Sequence, residues 1–190
     1  MDGKRGLLIV FSGPSGVGKS TVRKLFMTNA HLNLVYSISM TTRKQRPGEV
    51  DGVDYFFVDQ ETFMKNINDG NLLEYAEFVG NYYGTPKDYV DKLRDEGKNV
   101  ILEIEVNGAE QVLAKCPEAI SVFLMPPSFE ELESRIRNRK TEPEEVICKR
   151  LEKARREMNL LDRYSHVVIN KDILLAAEEI TKIIESYLKK

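Results

Sequence analysis

Cysteine and histidine are scarce in this chain of 190 residues, with two of each. Cys116 and Cys148 lie far apart in sequence, without further candidate ligands at metal spacing, so they read as reduced thiols rather than a disulfide or a zinc site. His31 and His166 belong to no Ser-His-Asp or Cys-His arrangement and read as structural. No apolar run approaches the length needed to span a bilayer. The opening Met1-Asp2-Gly3-Lys4-Arg5 passes straight into an apolar strand pattern instead of a signal sequence. A cytoplasmic protein without a membrane partner is therefore expected. The net charge of −2 argues against a general polyanion-binding surface, hence against a nucleic-acid partner. Internal repeats, low-complexity stretches and flexible linkers are also missing. With 42% hydrophobic and 31% charged residues, the composition suits one well-filled core carrying small lobes.

What is present begins with a short apolar run, Leu7 to Phe11, followed by Gly13-Pro14-Ser15-Gly16-Val17-Gly18-Lys19-Ser20 and a helix-compatible stretch from Ser20 through Met27. This order of strand, glycine-rich loop and helix is the context a phosphate-binding P-loop requires. Glycines let successive backbone N–H groups turn inward around an anion. Lys19 can reach the outer phosphates, the Ser20 hydroxyl can hold Mg²⁺, and the helix behind contributes unpaired N–H groups and its positive end.

Further apolar runs at Val100 to Ile104, Ile120 to Leu124 and Val167 to Ile169, mostly separated by helical patterns, predict a buried parallel sheet in an α/β fold. Ser128 with Glu131 forms a capping box, and Thr141 with Glu144 repeats it with Pro143 in the first turn of the next helix. Beyond a cap at Asp172, the residues Ala176, Ile180, Ile183 and Leu188 predict an amphipathic final helix. The stretch from Leu34 to Thr85 differs. It alternates at Tyr36-Ser37-Ile38-Ser39 and is rich in turns at Pro47-Gly48 and Asp51-Gly52, with a Gly80-Asn81 turn between Phe78-Val79 and Tyr82-Tyr83, all of which predicts a small antiparallel lobe.

That insert carries Ser39-Met40-Thr41-Thr42-Arg43-Lys44-Gln45-Arg46-Pro47-Gly48-Glu49 and Asp51-Gly52-Val53-Asp54-Tyr55-Phe56-Phe57, then Glu74-Tyr75-Ala76-Glu77-Phe78 and Gly80-Asn81-Tyr82-Tyr83-Gly84-Thr85. With the P-loop and Ile101-Leu102-Glu103-Ile104-Glu105-Val106-Asn107-Gly108-Ala109, these motifs closely resemble guanylate kinases, from about Gly6 to the final helix and in the same order. The resemblance implies a P-loop nucleoside-monophosphate kinase fold that transfers the γ-phosphoryl group of ATP to GMP. It implies one unit of three parts: a core over 1–33, 86–137 and 151–190, a GMP-binding lobe over 34–85, and a helical lid over 138–150.

Position by position, the resemblance implies ATP binding by the P-loop from Gly13 to Ser20 and Thr21, with Arg139 and Asn170. It places GMP at Ser39, Arg43, Arg46, Tyr55, Glu74, Tyr83, Thr85, Glu103 and Glu105. Guanine presents adjacent N1–H and N2 amino donors that one carboxylate, Glu74, can accept together, whereas adenine has an acceptor at N1. Ser39 and Thr85 match positions that contact the base. Arg43 and Arg46 suit bidentate contact with the GMP phosphate, with phenolic help from Tyr55 and Tyr83, while Asp51, Asp54 and Glu49 stand among these cations. Tyr82 reads as the packing member of its pair.

Between Arg135 and Arg156 nine basic residues face four acidic ones, a local excess suited to a lid over phosphates. Arg135 and Arg139 share a helix face, Arg150 lies across the turn, and these three match lid arginines that act with Lys19 and Arg43 on the transferring group. Arg137, Lys149, Lys153, Arg155 and Arg156 read as a solvated basic face. Two departures stand out: Lys140 follows Arg139 where relatives usually have Gly, and Lys171 follows Asn170 where an acidic residue is common. The expected cofactor is Mg²⁺ at Ser20, with Glu103 or Glu105 acting through water. A guanylate-kinase-like interaction module and a kinase for another nucleoside monophosphate are the rival readings. The intact Lys19 and Ser20 argue against the first, and Glu74 against the second. Oligomeric state is left open.

Overall fold

The computed structural model describes residues 4–138 and 143–189. Its centre is a five-stranded, wholly parallel sheet in the order β2-β7-β1-β8-β9. These strands are β1 (Leu8–Ser12), β2 (Leu34–Tyr36), β7 (Asn99–Glu103), β8 (Ile120–Met125) and β9 (His166–Ile169). The runs of β1, β7 and β8 are buried along almost their whole length because both faces are covered there, whereas on the edge strand β9 Val167 and Ile169 are exposed and only Val168 is buried. Alternation along β1 sends Ile9 and Phe11 into one core and Leu8 and Val10 into the other. Helices α1 (Lys19–Phe26), α5 (Phe129–Arg137), α6 (Glu144–Met158) and α7 (Ile173–Leu188) bury residues such as Val22, Leu132, Ile147 and Ile180 on the first face. Helices α3 (Lys87–Asp95) and α4 (Val106–Lys115) bury Val90, Val106 and Val112 on the second.

The helix signals are mostly realised. Ser128 Oγ accepts from the Glu131 N–H at 3.1 Å, and Asp172 accepts from the N–H groups of Leu174 and Leu175 at 2.8 and 3.0 Å. The box expected from Thr141 and Glu144 is not the start of α6: Pro143 stands at the cap position and Glu144 is the first helical residue instead of the third, while Thr141 lies outside the described residues. On α7 the buried stripe is Ala176, Ala177, Ile180 and Ile184, with Ile183 half-buried against the same core, whereas Leu188 is exposed. Among the described residues, no helix is long and apolar enough to cross a membrane.

A second sheet of four strands has the order β4-β3-β6-β5, with β3 (Met40–Thr41), β4 (Phe56–Phe57), β5 (Leu72–Phe78) and β6 (Asn81–Pro86). Helix α2 (Gln60–Asn68) is capped by Asp59 and buries Phe63, against which Tyr82 packs at 5.5 Å between ring centroids. Three expectations change here. Leu34–Tyr36 pairs parallel with β7 and so belongs to the central sheet, not to the insert. The small sheet is mixed rather than antiparallel, because the long loop after β3 brings Phe56–Phe57 back parallel to Met40–Thr41. The hairpin turn is Val79-Gly80, with φ of 50° and 72°, and Asn81 already pairs with Phe78. Two positive φ values match the twist that a two-residue hairpin turn needs.

Candidate active site

The phosphate loop leaves β1 at Gly13 and enters α1 at Lys19. Gly16 and Gly18 have φ of 89° and 99°, a left-handed conformation that glycine adopts without strain. A side chain at Gly16 would also meet Ile136 Cγ1 at 2.8 Å, so α5 packs directly on the loop. Val17 is wholly buried, and its carbonyl accepts from Asn170 Nδ2 at 2.8 Å. Asn170 is itself buried, so its side-chain donor braces the loop from behind.

Lys19 Nζ donates to the carbonyls of Gly13 and Pro14 at 2.6 and 3.1 Å, curling over the loop's mouth. Burial lowers its pKa, while Glu103, Glu157 and Glu105 pull in the opposite direction. Ser20 Oγ donates to Glu103 Oε1 at 2.7 Å, and Arg23 Nε donates to Glu103 Oε2 at 2.6 Å. The Arg23 guanidinium in turn lies 4.1 Å from the centre of the Tyr36 ring. Glu103 is thereby held at both oxygens beside the P-loop hydroxyl. Thr21 is exposed on the next helical position. From α6, Arg150 Nη2 donates to Ser15 Oγ at 2.7 Å, and from α5, Arg135 Nη2 reaches the Asn170 carbonyl at 3.4 Å. Arg139 and Lys140 lie outside the described residues.

Between the two sheets opens a cleft of about 680 Å³, within the size range of small-molecule sites. Ser39, Tyr55, Glu74, Tyr83, Glu103 and Glu105 line it, as do Tyr36, Asp54, Asn107, Gly108 and Lys153. Glu74 owes its place to a β-bulge. Leu72 pairs with Pro86 and Tyr75 with Gly84, so β5 carries one residue more than β6 over this interval. Such an extra residue breaks the in-out alternation and re-aims a side chain. Leu72, Leu73 and Glu74 are accordingly buried in succession.

Glu74 is only 7% exposed, and Thr85 Oγ1, from the opposite strand, donates to its Oε1 at 2.6 Å. Thr85 therefore stands behind the carboxylate instead of lining the cleft. On the other side, a Cβ at Gly108 would come within 2.8 Å of Glu74 Oε2, so glycine in the first turn of α4 is what admits the carboxylate. A helix start favours negative charge there. Burial nevertheless raises the Glu74 pKa, and the Thr85 hydrogen bond and nearby Lys115 only partly oppose it.

At the cleft's outer end Arg43 forms a two-pronged ion pair with Glu49, Nη2 to Oε1 at 2.8 Å and Nη1 to Oε2 at 3.1 Å. Its guanidinium also lies 5.4 Å from the Tyr55 ring centre, and Tyr55 meets Tyr83 edge-on at 6.1 Å. Glu49 further accepts from the Arg46 backbone N–H at 2.8 Å, while the Arg46 residue is exposed. Asp54 accepts from the Val50 N–H and Asp51 from the Phe57 N–H, so both shape this loop. Sequence gives no signal for Arg23, and Lys153, expected on a solvated basic face, instead lines the cleft and pairs with Glu105. Lys153 follows Arg150 by three positions on α6, a spacing that puts them on one helix face and was the available signal.

A glycine loop feeding a helix, beneath a parallel sheet and beside an inserted base-sized cleft, defines a P-loop nucleotide kinase architecture. Residues 5–187 match the family model described as guanylate kinase, and the chain belongs to that family. It is 58% identical to the guanylate kinase of Lactococcus lactis over 184 residues, covering 96% of this chain and 89% of that relative. Among solved structures, the guanylate kinase of Anaplasma phagocytophilum is similar with a TM-score of 0.74 and 34% identity, covering 98% of this chain and 88% of that one. The SH3-kinase fragment of tight junction protein 3 shares the fold alone, with a TM-score of 0.51 and 10% identity over 98% of this chain and 59% of that one.

Proposed function

We propose that this chain is an ATP:GMP phosphotransferase, moving the γ-phosphoryl group of ATP to GMP to give ADP and GDP. The observation that carries this reading is the buried Glu74 carboxylate, held by Thr85 and admitted by Gly108, at the floor of a cleft that adjoins the P-loop. A carboxylate so placed accepts from two adjacent donors, the pattern of guanine's Watson–Crick edge. Ser39 supplies a hydroxyl in the same cleft for the remaining carbonyl acceptor. Arg43, Tyr55 and Tyr83, clustered at the outer end, receive the nucleoside monophosphate's phosphate, with Arg43 exchanging Glu49 for the stronger anion. Arg46 approaches from the exposed loop.

An ionised phosphate oxygen is already a nucleophile, so catalysis reduces to positioning and charge stabilisation. Lys19 leaves the two loop carbonyls to contact the outer phosphates of ATP, whose inner phosphates rest on the loop N–H groups. Arg135, Arg139 and Arg150 close from the lid between α5 and α6 and offset charge on the transferring group. Asn170 acts on the ATP side by bracing the phosphate loop through the Val17 carbonyl. Mg²⁺ suits the donors present, since the Ser20 hydroxyl and the Glu103 carboxylate are hard oxygens that bond each other at 2.7 Å, with Glu105 nearby. Bound there with ATP, the metal would neutralise phosphate charge. In three-part terms the central sheet is the core, the four-stranded sheet the acceptor lobe, and the residues around 138–150 the lid.

Measuring ADP release with GMP, AMP, UMP and dTMP in turn tests this directly. Turnover with GMP well above the other three is expected. Equal use of AMP would contradict guanine selection, and folded protein inactive with all four would favour the interaction module.

A further inference from the structure

Four of the five basic residues of α6 divide into two sets. Lys149 pairs with Glu145 one turn away, and Arg155 lies over the Phe129 ring at 4.1 Å, so both are occupied along the helix surface. Arg150 and Lys153 instead reach across to other elements, Arg150 to Ser15 and Lys153 to Glu105. Lys153 Nζ donates to Glu105 Oε2 at 2.7 Å and lies 3.9 Å from Glu157 Oε1. A second, smaller hollow of about 240 Å³ lies over Gly13, Ser15 and Lys19. Glu103, Ile104, Glu105 and Lys153 line both this hollow and the larger cleft. Three of the four are consecutive residues at the end of the central sheet. The fourth comes from α6 and carries the wall's sole positive charge.

We propose that Lys153 is a further charge-positioning residue of the transfer reaction, held by Glu105 at the junction of the two hollows and handed to phosphate when both are filled. The inference rests on the phosphotransfer reading above, because that junction is where donor and acceptor phosphates must meet. Side-chain exposures of 46% for Lys153 and 69% for Glu105 make their ion pair a solvent-screened one, which holds the ammonium group only weakly. A polyphosphate presents several negative charges at closer spacing and outcompetes one exposed carboxylate. Glu157, largely buried, adds a second carboxylate 3.9 Å from the lysine. Burial dominates the upward shift of the Glu157 pKa, and Lys153 opposes it.

The test compares wild type, Lys153→Met and Lys153→Arg by steady-state kinetics with ATP and GMP, alongside circular dichroism and thermal melting. Lys153→Met removes a charge-assisted partner and is expected to lower kcat roughly tenfold or more, with KM for GMP changed less than about threefold. Lys153→Arg keeps the cation and should recover most of kcat. A structural tether would instead lower the melting temperature of Lys153→Met, with Lys153→Arg largely spared, and leave kcat of the folded fraction intact in both. That result, or a folded Lys153→Met with wild-type kcat, overturns the proposal. If wild type itself fails to phosphorylate GMP, the phosphotransfer reading falls and this inference falls with it, an outcome distinct from either variant result.

Discussion

The two ends of the site, the hollow over the P-loop and the larger cleft beside it, are built on opposite principles. At the P-loop the groups on offer belong to the backbone, the N–H groups of a glycine loop, with Lys19 resting on two carbonyls. In the cleft the groups on offer are side chains set by three elements, Glu74 on β5, Thr85 on β6 behind it and the space left by Gly108 on α4. A backbone site needs only local chain geometry and reads any phosphate. A side-chain site needs long-range register, and gains from it the power to tell one base from another.

If that contrast is right, damage at the two ends should differ in kind as well as size. Lys19→Met should be the most severe, lowering kcat by roughly 10²–10³-fold with every acceptor alike, while circular dichroism stays unchanged. Near-normal turnover in the folded variant would remove Lys19 from the phosphate site. Gly108→Ala should act on one nucleotide only. The new methyl group collides with the movable tip of Glu74, so kcat/KM for GMP should fall roughly tenfold. Helix propensity should hold or raise stability by up to about 1 kcal/mol. A melting temperature that drops along with activity would show a general packing fault instead.

A subtler effect is expected at Thr85→Val. The lost hydrogen bond is one that lowers the Glu74 pKa, so its removal leaves burial less opposed and drives the pKa further up. Glu74 must be ionised to accept from guanine, and the acid limb of kcat/KM for GMP should therefore move to higher pH. Stability follows the same sign. With the folded pKa already above the usual 4.5, the folded protein holds the proton that the unfolded chain has lost, and Glu74's contribution declines as pH rises from 4.5 through the folded value. Superimposable pH profiles for wild type and variant would show that Thr85 does not tune Glu74. Smallest of all, Val79→Asn should leave kinetics untouched and raise stability by about 1 kcal/mol, since a β-branched residue at φ of 50° is strained. No gain in chemical-denaturation midpoint would count against strain in that turn.

The same contrast explains what sequence could reveal. The P-loop was legible because its ligand-facing groups are contiguous between a strand and a helix, and the parallel sheet because its apolar runs need no partner to be recognised. Glu74, Ser39 and Thr85 could be named only through family resemblance, because alternation along β5 gives no warning of the bulge that turns Glu74 inward. Nor does local pattern say that Thr85 stands behind the carboxylate rather than beside the base. The Leu34–Tyr36 strand was assigned to the insert because its short run is no different in texture from the residues that follow, and only pairing with β7 separates them. Lys153 was passed over as one cation on a basic face. Its distinction comes from Glu105 across the cleft, a neighbour 48 positions away in the chain.

The most direct test of guanine reading by a buried carboxylate is the ratio of kcat/KM for GMP to that for AMP in Glu74→Gln against wild type. The substitution keeps the side chain's size and replaces one acceptor oxygen with an NH₂ facing guanine's donors. Loss of a charge-assisted partner should cost about 2 kcal/mol of GMP specificity, a fall of roughly 30-fold in the ratio, with AMP affected far less. A folded Glu74→Gln with the wild-type ratio would contradict the assignment of Glu74 as the residue that reads the base.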